Sequence, residues 1–363
     1  MRAEVLQECR RRVTLSFKWE SDMSDLQTRL AKRIEDKRDD LIELTQELIR
    51  IPTLNPPGEN YREICTYLGE RMARSGFAME MVRAEGAPGD CTKYPRWNVV
   101  CRREGTRAGE CVHFNSHIDV VEVGAGWTFD PFGGELSDGK IYGRGACDMK
   151  GGLAASIIAA EAFAEECPDY AGAIEISGTA DEESGGYGGV AYLAQKGFYD
   201  PKRVQHVIIP EPLGVDQICL GHRGGWWAEI ETFGEIAHGC MPFLGDCAVR
   251  HMGAVLDKFE DTLYPAMAAR HTEMPVIPEG ARQSTMNINS IHGGQNEQAA
   301  DSTALPSHCV PDSCRIVIDR RYLAEEDYEG VSGEVKDLLE GLRVTRPNFE
   351  YEMRELNHVA PSM

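Results

Sequence analysis

The chain has 363 residues, 42% hydrophobic, 27% charged and 8% aromatic, with 38 Lys+Arg against 59 Asp+Glu and a formal charge of −21. That composition provides apolar mass for a large core and excludes disordered and collagenous classes, while no run reaches the roughly 18 uncharged apolar residues of a membrane helix. The acidic balance argues against nucleic acid or an anionic membrane as partner, since both need clustered Lys and Arg, and leaves small molecules.

In chain order, residues 1–23 lack sustained periodicity and are expected to form a flexible extension, with Met23 an alternative start. Leu26, Leu30, Ile34, Leu41, Leu44, Leu48 and Ile51 fall mostly at helical spacing, predicting a helix over 24–51 that Pro52 and Asn55-Pro56-Pro57-Gly58 end. A second helix is expected over 59–75, stopped by Gly76, then strands over 97–101 and 111–115. A helix over 151–166, a strand over 173–177, a helix over 188–196 and a strand over 204–209 follow. This alternation predicts an α/β fold, a mostly parallel sheet flanked by helices. Residue character changes at Gly221. Beyond it, strands over 226–232, 284–291, 315–320 and 349–354 with helices over 247–269 and 325–342 predict a ferredoxin-like α+β module. The polar loop over 293–311 is expected to be long and exposed.

Twelve cysteines are scattered without a CxxC pair, which suits reduced thiols in a cytoplasmic protein, most of them small core residues. The start of the chain has no apolar signal-peptide segment.

Four acidic or histidine clusters are each expected where a strand runs into a loop, the place where open α/β sheets bind ligands. In Asn115-Ser116-His117-Ile118-Asp119, His117 can bind a metal while the Asp119 carboxylate accepts from its other ring nitrogen, though His-x-Asp alone is common by chance. In Gly143-Arg144-Gly145-Ala146-Cys147-Asp148-Met149-Lys150-Gly151-Gly152, Asp148 is a ligand candidate or simply a helix N-cap. In Asp181-Glu182-Glu183, three consecutive carboxylates repel one another unless a cation neutralises them; one can then be a ligand and another a general base. In Pro210-Glu211-Pro212 a carboxylate is held between two prolines. Two look-alikes fail. Gly134 to Lys140 starts like a phosphate-binding loop but has Ile141 where Ser or Thr must stand, and the acidic run before Gly186-Tyr187-Gly188 would repel a pyrophosphate.

Together, His117-x-Asp119, Trp127-x3-Pro131-Phe132, Asp138 to Gly152, Asp181-Glu182-Glu183, Gly221-x-Arg223-Gly224, Gly234-x3-His238 and Asp319-x-Arg321 closely resemble the dizinc amidohydrolase family. That family contains acetylornithine deacetylase, succinyl-diaminopimelate desuccinylase, aminoacylases, glutamate carboxypeptidase and dipeptidases. The resemblance covers about residues 24–356. It implies a metal-binding catalytic domain over 24–220, an inserted lid and dimerisation domain over 221–356, and a start of the return to the catalytic domain over 357–363. It also implies two Zn²⁺ per subunit, with Co²⁺ or Mn²⁺ as substitutes: His117 and Glu211 on one ion, Glu183 on the other, Asp148 bridging. Asp119 would orient His117, and Glu182 would be the general base. In the lid, His238 would stabilise the oxyanion across a homodimer, and Asn287 and Arg321 would hold the substrate carboxylate. The implied reaction is hydrolysis of N-acyl amino acids of the deacetylase or desuccinylase type. The alternatives are a dipeptidase or carboxypeptidase on the same scaffold, or a non-catalytic dimerising protein. Relatives add a last histidine ligand to the second zinc after the lid; His358 has a different context, so the chain is expected to be a truncated fragment whose second zinc lacks one ligand, which puts its activity in doubt.

Overall fold

The structure, a computed structural model, describes residues 25–214, 217–276, 278–294 and 308–362. The extension expected over 1–23 and most of the 293–311 loop lie outside these residues. The chain divides into two units, Met1–Val215 and Asp216–Met363.

In the first unit, β1 (Ala78–Arg83), β2 (Trp97–Glu104), β3 (Arg107–His117), β6 (Ala171–Thr179) and β7 (His206–Ile208) form a sheet in the order β1-β2-β6-β3-β7. β4 (Glu135–Ser137) and β5 (Lys140–Tyr142) make a separate antiparallel hairpin. Only β6, β3 and β7 run parallel; β1 and β2 are antiparallel, so the sheet is more mixed than expected. The cause is the short link from Glu104 to Arg107, which reverses the chain, whereas a parallel crossover needs a dozen residues or more. Among the described residues five α-helices belong to this unit: α1 (Asp25–Asp36), α2 (Arg38–Arg50), α3 (Tyr61–Arg74), α4 (Gly151–Glu166) and α5 (Val190–Gln195). The helix expected over 24–51 is therefore two.

Leu44 and Leu48 of α2, Ile64 and Leu68 of α3, and Leu153 and Ile157 of α4 join Ile174 and Ile176 of β6 in one buried cluster. Each such side chain contributes about 1.5–3 kcal/mol by leaving water. α4 is apolar around most of its circumference, hence its depth. α1 has no buried residue and is tied down by charge instead, Arg33 Nε to Glu166 Oε1 at 2.8 Å and, just past its end, Lys37 Nζ to Glu165 Oε1 at 2.9 Å.

One stripe of β3 and β6 is polar. His113, Asn115 and His117 lie opposite Glu175, Ser177 and Thr179. His113 bridges Glu175 Oε1 (2.8 Å) and Ser177 Oγ (2.7 Å), and Asn115 Nδ2 donates to Ser177 Oγ (2.8 Å) and Tyr199 Oη (2.9 Å). This buried ladder stiffens the strand whose last residue is His117.

In the second unit β8 (Gly224–Phe233), β9 (Thr285–Gly293), β10 (Ser313–Tyr322) and β11 (Glu350–Val359) form an antiparallel sheet, order β11-β8-β10-β9. With α6 (Ala248–Lys258), the short α7 (Tyr264–Ala268) and α8 (Tyr328–Thr345), this is the expected ferredoxin-like arrangement. Trp226, Ile230, Phe259, Ile316, Val335 and Leu339 centre its separate core. The single helix expected over 247–269 breaks into α6, a wider turn Phe259–Leu263 and α7. Pro265 near the start of α7 has no N–H to continue the ladder. The strand expected over 349–354 continues to Val359, and His358 packs against Tyr328 with ring centroids 4.1 Å apart while its Nε2 meets Tyr322 Oη at 2.7 Å.

Among the described cysteines only Cys65, Cys101, Cys111 and Cys314 are buried, while Cys91, Cys147, Cys219 and Cys240 are exposed, which corrects the expectation that most are core residues. No helix among the described residues is long and apolar enough to cross a membrane.

Candidate metal centre

The parallel strands β3, β6 and β7 deliver the acidic and histidine clusters to one edge of the sheet, at their carboxyl ends. His117 closes β3, Asp181-Glu182-Glu183 follow β6, Glu211 lies just past β7, and Asp148 sits in the turn Ala146–Lys150 that leads into α4. Gly152 makes part of this possible. A Cβ there would lie 2.2 Å from the Pro210 carbonyl oxygen, so only glycine lets the first turn of α4 approach the segment that carries Glu211.

His117 is at the centre. Its Nε2 is 2.9 Å from Asp148 Oδ1 and 3.8 Å from Glu211 Oε1. Ligand atoms of His117, Asp148 and Glu211 lie within 4.8 Å of one another, and so do those of His117, Glu182 and Glu183. The other ring nitrogen, Nδ1, is 3.0 Å from the carbonyl oxygen of Asp119, with the carboxylate farther at 3.5 Å. The orienting contact from Asp119 is thus made by its main chain, which fixes Nδ1 as the protonated nitrogen and turns Nε2 toward the carboxylates. The Asp119 carboxylate is engaged elsewhere, accepting from the backbone N–H of Glu182 (3.2 Å) and Glu183 (3.1 Å) and from Asn55 Nδ2 (2.8 Å).

This is a costly arrangement without a cation. Burial, then the charge of Asp148, pushes Glu183 up to about 7. Burial, which outweighs the opposing pull of His117, also raises Glu211 to about 7, with the charges of Asp148 and Glu182 adding to it. For His117 burial works against the charged form, yet Asp119 and Asp148 overcome it and hold the imidazole well above its usual range. Half-buried carboxylates that must keep protons near neutrality, around one imidazole, match a divalent ion's requirements in charge and donor type. The donor set of carboxylate oxygens and imidazole nitrogen suits zinc, and the two clusters are consistent with a dizinc site.

His238, Asn287 and Arg321 belong to the second unit. His238 lies in a loop, forms a β-bridge with Cys309, and its Nδ1 accepts from Cys240 N at 3.2 Å. Asn287 of β9 faces Asp319 of β10 in register and donates to Asn289 Oδ1 at 2.8 Å. Arg321 grips Asp319 (2.7 and 3.1 Å) and stacks over Trp227 at 4.5 Å.

Sequence reasoning missed the role of Asn55, read only as a helix stop, and passed over Arg96 altogether. Lys150, quoted only as part of a motif, is fully buried, and its Nζ donates to the carbonyls of Leu48 (2.9 Å) and Ile51 (2.8 Å), closing the end of α2 beside the Asp148 turn.

Residues 113–362 match the family model described as Peptidase family M20/M25/M40. The chain belongs to this family. The M20 fold is visible in solved structures as well. The structure is similar to the di-peptidase Dug1p from Saccharomyces cerevisiae (TM-score 0.73, 18% identity, 93% of this chain and 81% of that chain covered). It is similar to human carnosine dipeptidase 1 (0.68, 17%, 93% and 81%) and to the M20 metallo-carboxypeptidase Sso-CP2 from Sulfolobus solfataricus (0.62, 17%, 88% and 79%). With the two clusters, family membership makes this M20 protein a zinc-dependent metallohydrolase that cleaves amide bonds in small amino-acid-derived substrates.

Proposed function

We propose that the chain is a dizinc peptidase whose preferred substrates are dipeptides or short peptides, in place of the N-acyl amino acids that motif resemblance first suggested. The observation that carries the hydrolase reading is the convergence of His117 with Asp148 and Glu211, and of His117 with Glu182 and Glu183. The peptidase preference is supported by fold likeness to two dipeptidases and a carboxypeptidase.

In this reading His117 and Glu211 would hold one ion and Glu183 the other, with Asp148 as a ligand to both. Bound zinc supplies Lewis acidity toward the amide carbonyl and lowers the pKa of water. Glu182 takes a proton from the attacking water and returns it to the leaving amine. Asp119 serves Glu182 by fixing the backbone N–H groups of the Glu182–Glu183 turn. The first unit is the catalytic domain and the second the lid, which pairs with a second copy. There His238 offers a hydrogen bond to the oxyanion, and Asn287 and Arg321 receive the substrate carboxylate, Arg321 exchanging it for Asp319. Exposed thiols at Cys91, Cys147, Cys219 and Cys240 support residence in the reducing cytoplasm.

The test is a panel of dipeptides, N-acetyl amino acids and N-succinyl amino acids offered to the zinc-loaded protein, with chelated protein as control. Zinc-dependent cleavage of dipeptides above all others is expected. Preference for an N-acyl class would return the deacetylase or desuccinylase reading, and no turnover of any class would refute both. Sedimentation of the same sample reports whether two copies associate.

A further inference from the structure

Arg96 is only 5% exposed and lies far in sequence from every motif named above, yet it is built into the site's floor. Its Nε donates to Asp181 Oδ2 at 2.9 Å, its Nη1 to the carbonyls of Pro57 (2.6 Å) and Tyr94 (3.0 Å), and its guanidinium lies 5.6 Å over the Tyr61 ring. Three glycines leave room for it: a Cβ at Gly58, Gly89 or Gly188 would come within 2.2, 2.3 and 2.8 Å of its side-chain atoms respectively. Its partner Asp181, 3% exposed, also accepts from Tyr61 Oη at 3.0 Å, so both carboxylate oxygens are held.

Asp181 is the residue from which the Glu182–Glu183 turn springs. Its φ of 63° is left-handed, a conformation a non-glycine residue keeps only when its surroundings enforce it. Its carbonyl oxygen accepts from Gly186 N (2.6 Å) and Ser184 N (3.2 Å), which closes the turn. Asn55 and Asp119 hold the same turn from the other side, through Ser184 Oγ and the two glutamate N–H groups.

We propose that Arg96 is a positioning residue: through Asp181 it fixes the backbone that aims the Glu182 and Glu183 carboxylates, and so sets zinc retention and proton transfer. The inference rests on the reading of Glu182 as base and Glu183 as metal ligand. Supporting groups of this kind, removed, cost 10–100-fold in metal affinity or activity.

Arg96→Lys keeps the charge but cannot reproduce the forked contacts. Tyr61→Phe leaves every Arg96 hydrogen bond intact and removes one hydrogen bond from Asp181. For both variants, zinc affinity by competition with a chelator, kcat and KM on the best substrate, and the thermal midpoint are measured. The expected result is about a 10–100-fold loss of zinc affinity or kcat in Arg96→Lys at unchanged KM, and a smaller loss in the same direction in Tyr61→Phe. A lowered thermal midpoint with zinc affinity and kcat unchanged in the folded protein would make Arg96 merely structural and overturn the proposal. Should Arg96→Lys not fold, Tyr61→Phe decides alone: unchanged zinc affinity and kcat overturn it. The zinc competition needs no substrate, so a protein that cleaves nothing in the panel refutes the peptidase reading while the Arg96 proposal is still decided.

Discussion

Glu182 and Glu183 are neighbours on one turn with different assignments, and two measurements separate them. Glu182→Gln removes the base while leaving the shape, so turnover should fall about 10²–10⁴-fold with zinc content unchanged. Activity that survives in a zinc-replete variant would reassign the base. Glu183 is tested by protons. In the zinc-free protein Glu183 and Glu211 sit at about 7, and His117 stays protonated well above its usual range. Zinc requires all three deprotonated, so it must displace the His117 proton throughout the neutral range and the glutamate protons only below about pH 7. Zinc affinity should therefore fall as pH drops through 7, with more protons released per ion at about pH 6 than at about pH 8. Calorimetry in buffers of different ionisation enthalpy counts them; release that does not vary with pH would remove these glutamates from the ligand set. These ligands were legible in the sequence because each stands in a compact, chemically unusual run. Asn55 and Arg96 were not, because an ordinary asparagine and arginine acquire meaning only from partners 64 and 85 positions away.

At the scale of elements, the site depends on how closely α4 meets the segment after β7. Gly152→Ala would set a methyl 2.2 Å from a backbone oxygen that cannot swing aside. It should cost about 1–3 kcal/mol in thermal or denaturant unfolding and displace Glu211, weakening zinc as well. Unchanged zinc affinity would mean that Glu211 is placed by its prolines alone. The polar ladder of β3 and β6 makes a second case. Burial pushes Glu175 up, but His113 and Arg203 more than compensate and hold it below the usual carboxylate range. Its contribution is therefore fully present above its unfolded value of about 4.3 and lost as pH falls through the lower native value. Glu175→Ala, which leaves buried His113 with Ser177 alone, should lose about 1–3 kcal/mol at neutral pH and flatten the acid side of the stability profile. Elements with a long apolar run, as α4, or a clear apolar alternation, as β8, were readable in the sequence. β1 was not, because Ala78–Arg83 has no fully buried residue to produce an alternation, and β4 and β5 are only three residues each.

At the scale of the molecule, among the described residues every candidate ligand lies in the first unit, while the second has its own core around Trp226, Ile316 and Leu339. The chain's charge of −21 is spread far beyond the site, since two Zn²⁺ offset only four negative charges. Zinc should thus act as a specific ligand of one unit and not as a general counterion. A ligand that binds only the folded form stabilises it by about 2.7 kcal/mol at a concentration 100 times its Kd. Amide hydrogen exchange with and without zinc locates that stabilisation. Slower exchange is expected at the carboxyl ends of β3 and β6 and through residues 181–186, where the ligands and their clamps lie. Magnesium at the same concentration should leave these amides unchanged, because it demands octahedral oxygen coordination and gives up water reluctantly, whereas an imidazole with crowded carboxylates favours zinc. Equal protection by both ions would reduce the cluster to an acidic surface, and protection confined to residues 217–362 would put the metal in the wrong unit for the proposed chemistry.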